Sequence, residues 1–294
     1  MTTQIINGKE FANQIKQQIT TQTAHIKQQH NLIPTLAVIL VGLDPASQIY
    51  VNAKKKAAKA CGMNSLEFTF DNSITQDDLL KQIKQLNQDK NVNGILVQLP
   101  LPPHIDKTVI INSIDHTKDV DGFHYINAGK LLLNQVDEDT IIPCTPLGCI
   151  QLICNQLGDD LAGKKAVIIG SSNIVGRPMA ALLANRRATI LLANSKTPNL
   201  KSETLTADII IACAGVPNLI TKNMVKKGAI IIDVGINRVK NQDGGDKIIG
   251  DVDFENIVNI AGAITPVPGG VGPMTIANLL ANNLKLFKSQ HKLK

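Results

Sequence analysis

The sequence predicts an α/β protein of two domains, each organised around a parallel sheet. Strand-length apolar runs alternate with helix-length amphipathic stretches along nearly the whole chain. The length, 294 residues, suits two domains of ordinary size, each able to bury a core. A glycine-bounded turn, Gly170-Ser171-Ser172-Asn173-Ile174-Val175-Gly176-Arg177-Pro178, follows one apolar run and opens a helix. That is where a phosphate-binding turn belongs in a dinucleotide fold.

In chain order, Thr35–Val41 reads as a buried strand and 47–60 as a helix. Asn64–Phe70 is a second strand, and Thr75 caps a helix running to Gln88, with Asp77 and Asp78 in its first turn. The apolar run 94–99 is a third strand, stopped by Pro100-Leu101-Pro102-Pro103, and Asp119-Val120-Asp121-Gly122 is a turn. A helix begins at Thr145-Pro146 and bridges the domains. Lys165–Ile169, Thr189–Ala193, 208–212 and 229–233 are strands, with a helix over 176–185. Asp243-Gly244-Gly245 is a hairpin turn, 263–265 a last short strand, and 274–287 a terminal helix. The expected domains are 1–145 and 146–272, with 273–294 a helix that packs back on the first.

Hydrophobic residues make up 44% of the chain and charged residues 18%, the balance of a soluble globular protein. The apolar runs are too short to span a membrane. Met1-Thr2-Thr3-Gln4 opens no secretory leader, so the cytoplasm is the expected compartment. Cys61, Cys144, Cys149, Cys154 and Cys213 are odd in number and form no Cys-x-x-Cys pair, which predicts reduced thiols. The histidines have no metal-ligand spacing, so no metal is expected. The net charge of +6 suits either nucleic acid or a small anionic substrate. With 3% aromatics and no Trp, stacking platforms for bases are scarce, and the small substrate is favoured.

Tyr50 and Lys54 stand one helical turn apart, in Tyr50-Val51-Asn52-Ala53-Lys54. Most surface lysines are merely solvated, but one beside an aromatic ring is a candidate proton carrier. Such a pair in a short-chain dehydrogenase follows its glycine loop within one domain. Here it precedes the loop, which places catalysis on one domain, the cofactor on another and the site in the cleft between them. Gln98, at the carboxyl end of a buried strand, needs a polar partner, and Lys54 is the natural one. Asp121 is either a carboxylate offered to a ligand or a cap on its own turn.

In the second domain Gly170 allows the tight turn and Gly176 a close helix–sheet approach. The next strand ends at Ala193-Asn194-Ser195-Lys196, without the carboxylate that would select NAD. Ser195, Lys196 and Arg177 favour the 2′-phosphate of NADP. The run Thr265-Pro266-Val267-Pro268-Gly269-Gly270-Val271-Gly272-Pro273-Met274-Thr275 is a stiff loop suited to close backbone approach by a ligand.

Taken together and in order, these segments resemble the bifunctional methylenetetrahydrofolate dehydrogenase/cyclohydrolase family. The resemblance rests on Ser47–Lys54, Gln98-Leu99-Pro100-Leu101-Pro102, Asp119–His124, Pro143-Cys144-Thr145-Pro146, Gly170–Met179, Asp233-Val234-Gly235-Ile236-Asn237, Gly250-Asp251-Val252 and Thr265–Thr275. It implies NADP-dependent oxidation of 5,10-methylenetetrahydrofolate, then hydrolysis to 10-formyltetrahydrofolate. It also implies that Lys54 is the general acid/base, that Gln98 orients it, that Tyr50 packs on the folate and that Asp121 bonds the pterin's amino edge. Ser47, Leu99, Pro268 and Gly269 would line the folate, while Gly170, Ser171, Ser172, Ser195 and Ile236 would contact the cofactor. Tyr125 and Asn194 stand where the family often has Pro and His. A monofunctional relative and a non-catalytic nucleotide sensor are the alternatives, although a sensor has no need of Lys54, Gln98 and Asp121 together. The resemblance also implies a homodimer through the cofactor domain, for which the polar hairpin 239–247 beside Ile248 and Ile249 is a suitable edge.

Overall fold

The computed structural model describes residues 3–240 and 244–293. Its elements in order are β1 Gln4–Ile5, α1 Gly8–His30, β2 Thr35–Val41, α2 Pro45–Ala60, β3 Asn64–Phe70, α3 Gln76–Gln88, β4 Gly94–Val97, α4 Lys107–Ser113, α5 Tyr125–Leu132 and α6 Cys144–Leu157. They continue with β5 Lys165–Ile169, α7 Gly176–Ala184, β6 Thr189–Ala193, α8 Leu200–Thr204, β7 Ile209–Ala212, β8 Ile230–Asp233, β9 Asn237–Lys240, β10 Asp246–Ile249, α9 Phe254–Ile257, β11 Ala263–Ile264 and α10 Val271–Gln290. The expected turn at Asp243 lies partly outside the described residues.

The chain divides into two compact units, neither of them continuous in sequence. One takes Asn13–Cys144 and the chain from Ile276 onward; the other takes the residues up to Ala12 and Thr145–Thr275. The first dozen residues therefore group with the second half of the chain rather than with the first. The cause is β1, whose Gln4 and Ile5 pair in parallel with Ala263 and Ile264 of β11.

The first unit is built on a three-stranded parallel sheet in the order β3-β2-β4. All seven residues of β2 are buried, as a strand covered on both faces requires. Leu36, Val38 and Leu40 point to one side, where they pack with Val51 and Ala58 of α2 and with Leu279, Leu280, Leu284 and Phe287 of α10. Ala37, Ile39 and Val41 point to the other, among Leu79, Ile83 and Leu86 of α3. The alternation of period two thus supplies two cores from one strand. Beyond β4, a short parallel bridge pairs Ile95 with Asp119 and carries the Asp119–Gly122 turn onto the sheet.

The second unit holds a six-stranded parallel sheet in the order β1-β11-β8-β7-β5-β6. Its central strands β5, β7 and β8 are almost uninterrupted Ile, Val and Ala, buried throughout except for half-buried Lys165. Chain order reverses at β5, with β6 on one side and β7 on the other. Open α/β sheets of this kind bind ligands outside the carboxyl ends of the strands at such a reversal. β9 and β10 form a separate antiparallel hairpin.

Several boundaries differ from expectation. α2 starts at Pro45 rather than Ser47, because Asp44 caps it by accepting from the Ser47 amide at 2.8 Å. β4 ends at Val97, two residues early. α10 extends over Val271–Gln290, beyond both expected ends. No described helix is long and apolar enough to cross a membrane.

Candidate active site

In the three-stranded unit, α2 presents Ser47, Val51, Lys54 and Ala58 on one buried stripe. Lys54 is the unusual member, with only 9% of its surface exposed. Its Nζ donates to Oε1 of Gln98 at 2.9 Å. Gln98 is fixed from both ends, since its backbone N–H donates to Ile39 O at 2.9 Å and its Nε2 donates to Leu99 O at 2.7 Å. The amide thus has a single orientation, with its oxygen toward the ammonium. Tyr50, one turn before Lys54, is half-buried, and that burial raises its phenol above the usual range.

Asp121 does not cap its own turn; Asp119 does. The buried Asp119 carboxylate accepts from the N–H groups of Gly122 at 3.0 Å and His124 at 2.8 Å, and from Asn127 Nδ2 at 3.1 Å. Gly122 has φ 72°, and a Cβ there would lie 2.7 Å from Ile141 O and 2.8 Å from Pro143 N. Only glycine makes that turn. With the backbone satisfied by Asp119, the Asp121 carboxylate is left to face Lys54 and the Cys144 thiol, whose Sγ is 4.0 Å from Oδ1. Burial lifts Asp121 to about 6, with the positive charge of Lys54 opposing the rise and Asp119 adding to it. Cys144 is pushed well above the ordinary thiol range, by burial first and then by Asp121. Asn282 of α10 ties this group together, donating to Val120 O at 2.9 Å, Ile142 O at 3.0 Å and Cys144 Sγ at 3.4 Å.

In the six-stranded unit the glycine loop follows β5. Gly170 has φ 122°, and a Cβ there would lie 2.3 Å from Cys213 O. A Cβ on Gly176 would lie 1.8 Å from Gly170 O, so both glycines are required by close backbone approach. The Ser172 hydroxyl accepts from Val175 N at 3.2 Å and its carbonyl accepts from Arg177 N at 3.0 Å, which closes the loop onto α7. The start of α7 has no side-chain cap. Arg177 is exposed in the first turn, and Ser195 and Lys196 are exposed after β6. Residues 170–180 and 193–198 contain Arg177 and Lys196 and no carboxylate. An uncapped helix N-terminus beside two cations and no anion fits the phosphates of NADP.

Ile236 follows β8 and is 50% exposed. It sits between Gly235 and Asn237 on a loop held by two buried carboxylates, Asp233 and Asp251. Asp233 accepts from the amides of Gly235, Asp251 and Val252, at 2.9, 2.9 and 3.0 Å, and burial raises it to about 7. Pro268 is exposed and Gly269, φ 107°, is half-buried; the Gly269 carbonyl accepts from Lys9 N at 3.0 Å. The named positions therefore fall into two sets. Ser47, Tyr50, Lys54, Gln98, Leu99 and Asp121 belong to one unit, and Gly170, Ser171, Ser172, Arg177, Ser195, Ile236, Pro268 and Gly269 to the other.

Sequence reasoning gave no role to Asp119, Asp233, Asp251 or Asn282. The three aspartates carry a signal, since each lies within three residues of a glycine that its turn requires. Asn282 carries another, a polar residue at a buried helical position. Among the described residues no cluster of His, Cys, Asp and Glu could hold a metal ion.

A buried lysine bonded to a half-buried glutamine, with a perturbed aspartate facing it and a separate parallel sheet bearing a phosphate-type glycine loop, defines a two-domain enzyme dependent on a dinucleotide. Residues 6–121 match the catalytic domain, and residues 143–291 the NAD(P)-binding domain, of tetrahydrofolate dehydrogenase/cyclohydrolase. The chain belongs to that family. It is 50% identical over 284 residues to the bifunctional protein FolD of Cereibacter sphaeroides, covering 97% of this chain and 94% of the relative. The structure superposes on the crystal structure of the bifunctional enzyme from Campylobacter jejuni with a TM-score of 0.92, at 49% identity, covering 98% and 99% of the two chains. It also matches the Trypanosoma brucei enzyme complexed with NADP cofactor and inhibitor, with a TM-score of 0.93, 35% identity and 99% of each chain covered.

Proposed function

We propose that Lys54 is the proton carrier, Gln98 its orienting partner and Asp121 the folate anchor of a bifunctional dehydrogenase/cyclohydrolase. The chain oxidises 5,10-methylenetetrahydrofolate to the methenyl compound with NADP, then hydrolyses that product to 10-formyltetrahydrofolate. The observation that carries the reading of roles is the part-buried Lys54–Gln98 hydrogen bond, whose ammonium acts on Asp121.

Each residue type suits its step. Oxidation requires chiefly that the methylene carbon be oriented toward the hydride-accepting ring that NADP supplies when bound. Tyr50 offers a flat face to the folate rings, and Ser47 and Leu99 bound the folate on the same unit. Ionised Asp121 accepts from the pterin's amino edge and fixes its orientation. In the hydrolytic step water adds to the methenyl carbon and a ring C–N bond opens. A proton must leave the water and one must reach the departing nitrogen; Lys54 Nζ, fixed by Gln98, is placed to carry it. Gly170, Ser171, Ser172 and Ile236 present backbone to the cofactor, while Arg177 and Ser195 take the 2′-phosphate. The working protein is a cytoplasmic homodimer that pairs through the β9–β10 region, and it uses neither nucleic acid nor membrane.

Purified protein should reduce NADP only when methylenetetrahydrofolate is present, and should consume methenyltetrahydrofolate with no cofactor added. Loss of either activity alone would reduce the chain to a monofunctional relative. Light scattering that gave the mass of a single chain at micromolar concentration would sink the dimer.

A further inference from the structure

Asp251 is fully buried, and among the described residues its carboxylate accepts from loops at the carboxyl end of the parallel sheet. Oδ2 accepts from the amides of Ala214 at 2.7 Å and Gly215 at 2.8 Å, on the loop after β7. Oδ1 accepts from Asn237 Nδ2 at 2.9 Å, at the end of the loop after β8. The Asp251 amide donates to Asp233 at 2.9 Å, and a Cβ on Gly235 would lie 2.2 Å from Asp251 Oδ1. One side chain thus sets the spacing of the loops that follow the neighbouring strands β7 and β8. The same charge is felt at Cys213, whose thiol is pushed up to about 12 by burial and then by Asp251.

A carboxylate is an expensive group to bury, and among the described residues its donors come from those two loops. A core of apolar residues would have joined the strands without it. What the carboxylate adds is a fixed register between the peptides at 214–215 and the 235–237 turn, whose only large exposed side chain is Ile236. We infer that Asp251 is a positioning residue for the dinucleotide, holding the Ala214-Gly215 and Gly235–Asn237 loops at the spacing that receives it. The inference rests on the cofactor reading given above for Ile236 and the glycine loop.

The two activities separate positioning from mere folding, because the hydrolytic step is assayed without cofactor. In Asp251→Asn the charge is lost, and with the amide oxygen kept on Ala214 and Gly215 the new NH2 faces Asn237 Nδ2, so the Asn237 amide must turn over or part from it. NADP KM in the dehydrogenase assay should rise on the order of tenfold to a hundredfold, the loss of a charged buried hydrogen bond. Cyclohydrolase turnover should stay within about twofold of the starting protein. Adding Asn237→Asp supplies an acceptor for the new NH2 while the amide oxygen serves Ala214 and Gly215, and should bring NADP KM most of the way back. An unchanged NADP KM in Asp251→Asn, or a parallel fall in both activities without rescue, overturns the inference. Should Asp251→Asn fail to fold, Asn237→Ala becomes the test. It removes one arm only, and an unchanged NADP KM there is equally fatal. Arg177→Ala, assayed alongside, isolates the underlying reading: if it leaves NADP KM unchanged, that residue's place in the cofactor site falls, whatever Asp251 does.

Discussion

Lys54 and Gln98 meet end-on because the glutamine has no freedom to turn. Its Nε2 is committed to Leu99 O at 2.7 Å, so the oxygen that remains faces Lys54 Nζ at 2.9 Å. Replacing Lys54 with Met keeps most of the aliphatic stem in the buried stripe and removes the proton carrier. Cyclohydrolase turnover should fall about 10²–10⁴-fold, the usual worth of positioned proton transfer. Circular dichroism should show an intact fold. Gln98→Ala should act in the same direction through loss of orientation, and a Met variant with near-normal turnover would remove Lys54 from the mechanism.

Asp121 predicts a pH dependence of folate binding. Its carboxyl titrates at about 6, among Lys54, Asp119 and Cys144, so it is mostly ionised at pH 7 and neutral at pH 5. As pH falls through that value the acceptor for the pterin's amino edge is lost. Apparent KM for folate should therefore rise as pH drops below 6, approaching about tenfold per pH unit. In Lys54→Met the opposing positive charge is gone, and the inflection should move upward. A flat profile between pH 5 and 7 would contradict the assignment of Asp121.

Cofactor choice should turn on the end of β6. Ser195 is exposed there and the neighbourhood holds no carboxylate. Ser195→Asp would repel a 2′-phosphate and offer an acceptor to a 2′-hydroxyl. The ratio of kcat/KM for NADP over NAD should fall below one. Equal kinetics with both cofactors in the unaltered protein would count against Ser195 and Arg177 as the 2′-phosphate site.

Gly122→Ala tests the turn that carries Asp121. At φ 72°, with backbone atoms 2.7 and 2.8 Å from the new Cβ, alanine must displace the 141–143 segment. The left-handed conformation alone costs roughly 1–2 kcal/mol, before any clash. Folate KM and melting temperature should both suffer, while NADP affinity should stay near normal. Unchanged folate binding would show that the turn geometry does not matter.

The strands were the most legible part of the sequence, for a physical reason. β2, β5, β7 and β8 are buried on both faces and consist almost entirely of Val, Ile, Leu and Ala, so hydrophobicity alone marks them. α1 is hard to read from the sequence because its apolar stripe is thin, Ile15, Ile19 and Ile26 among glutamines and threonines. β1 has two residues and exists only because β11, far along the chain, offers an edge. At the candidate site, Lys54 and Gln98 were legible as a pair, since a polar group on a buried strand needs a partner. The division of labour between Asp119 and Asp121 was not, because both stand in the same four-residue turn and only the backbone path tells which one caps it.

The part played by α10 in the first core has a consequence for how the protein is made. When synthesis has passed Cys144, the strands β2, β3 and β4 already exist, yet the face carrying Leu36, Val38 and Leu40 lacks Leu279, Leu280, Leu284 and Phe287. Those side chains arrive only after the whole six-stranded sheet has been translated. The nascent chain must therefore carry an oily, half-finished surface throughout that interval, an obvious client for a holding chaperone. A stop codon after Cys144 would leave that surface bare permanently, so the fragment should precipitate, and a peptide spanning α10 supplied in trans should keep it in solution.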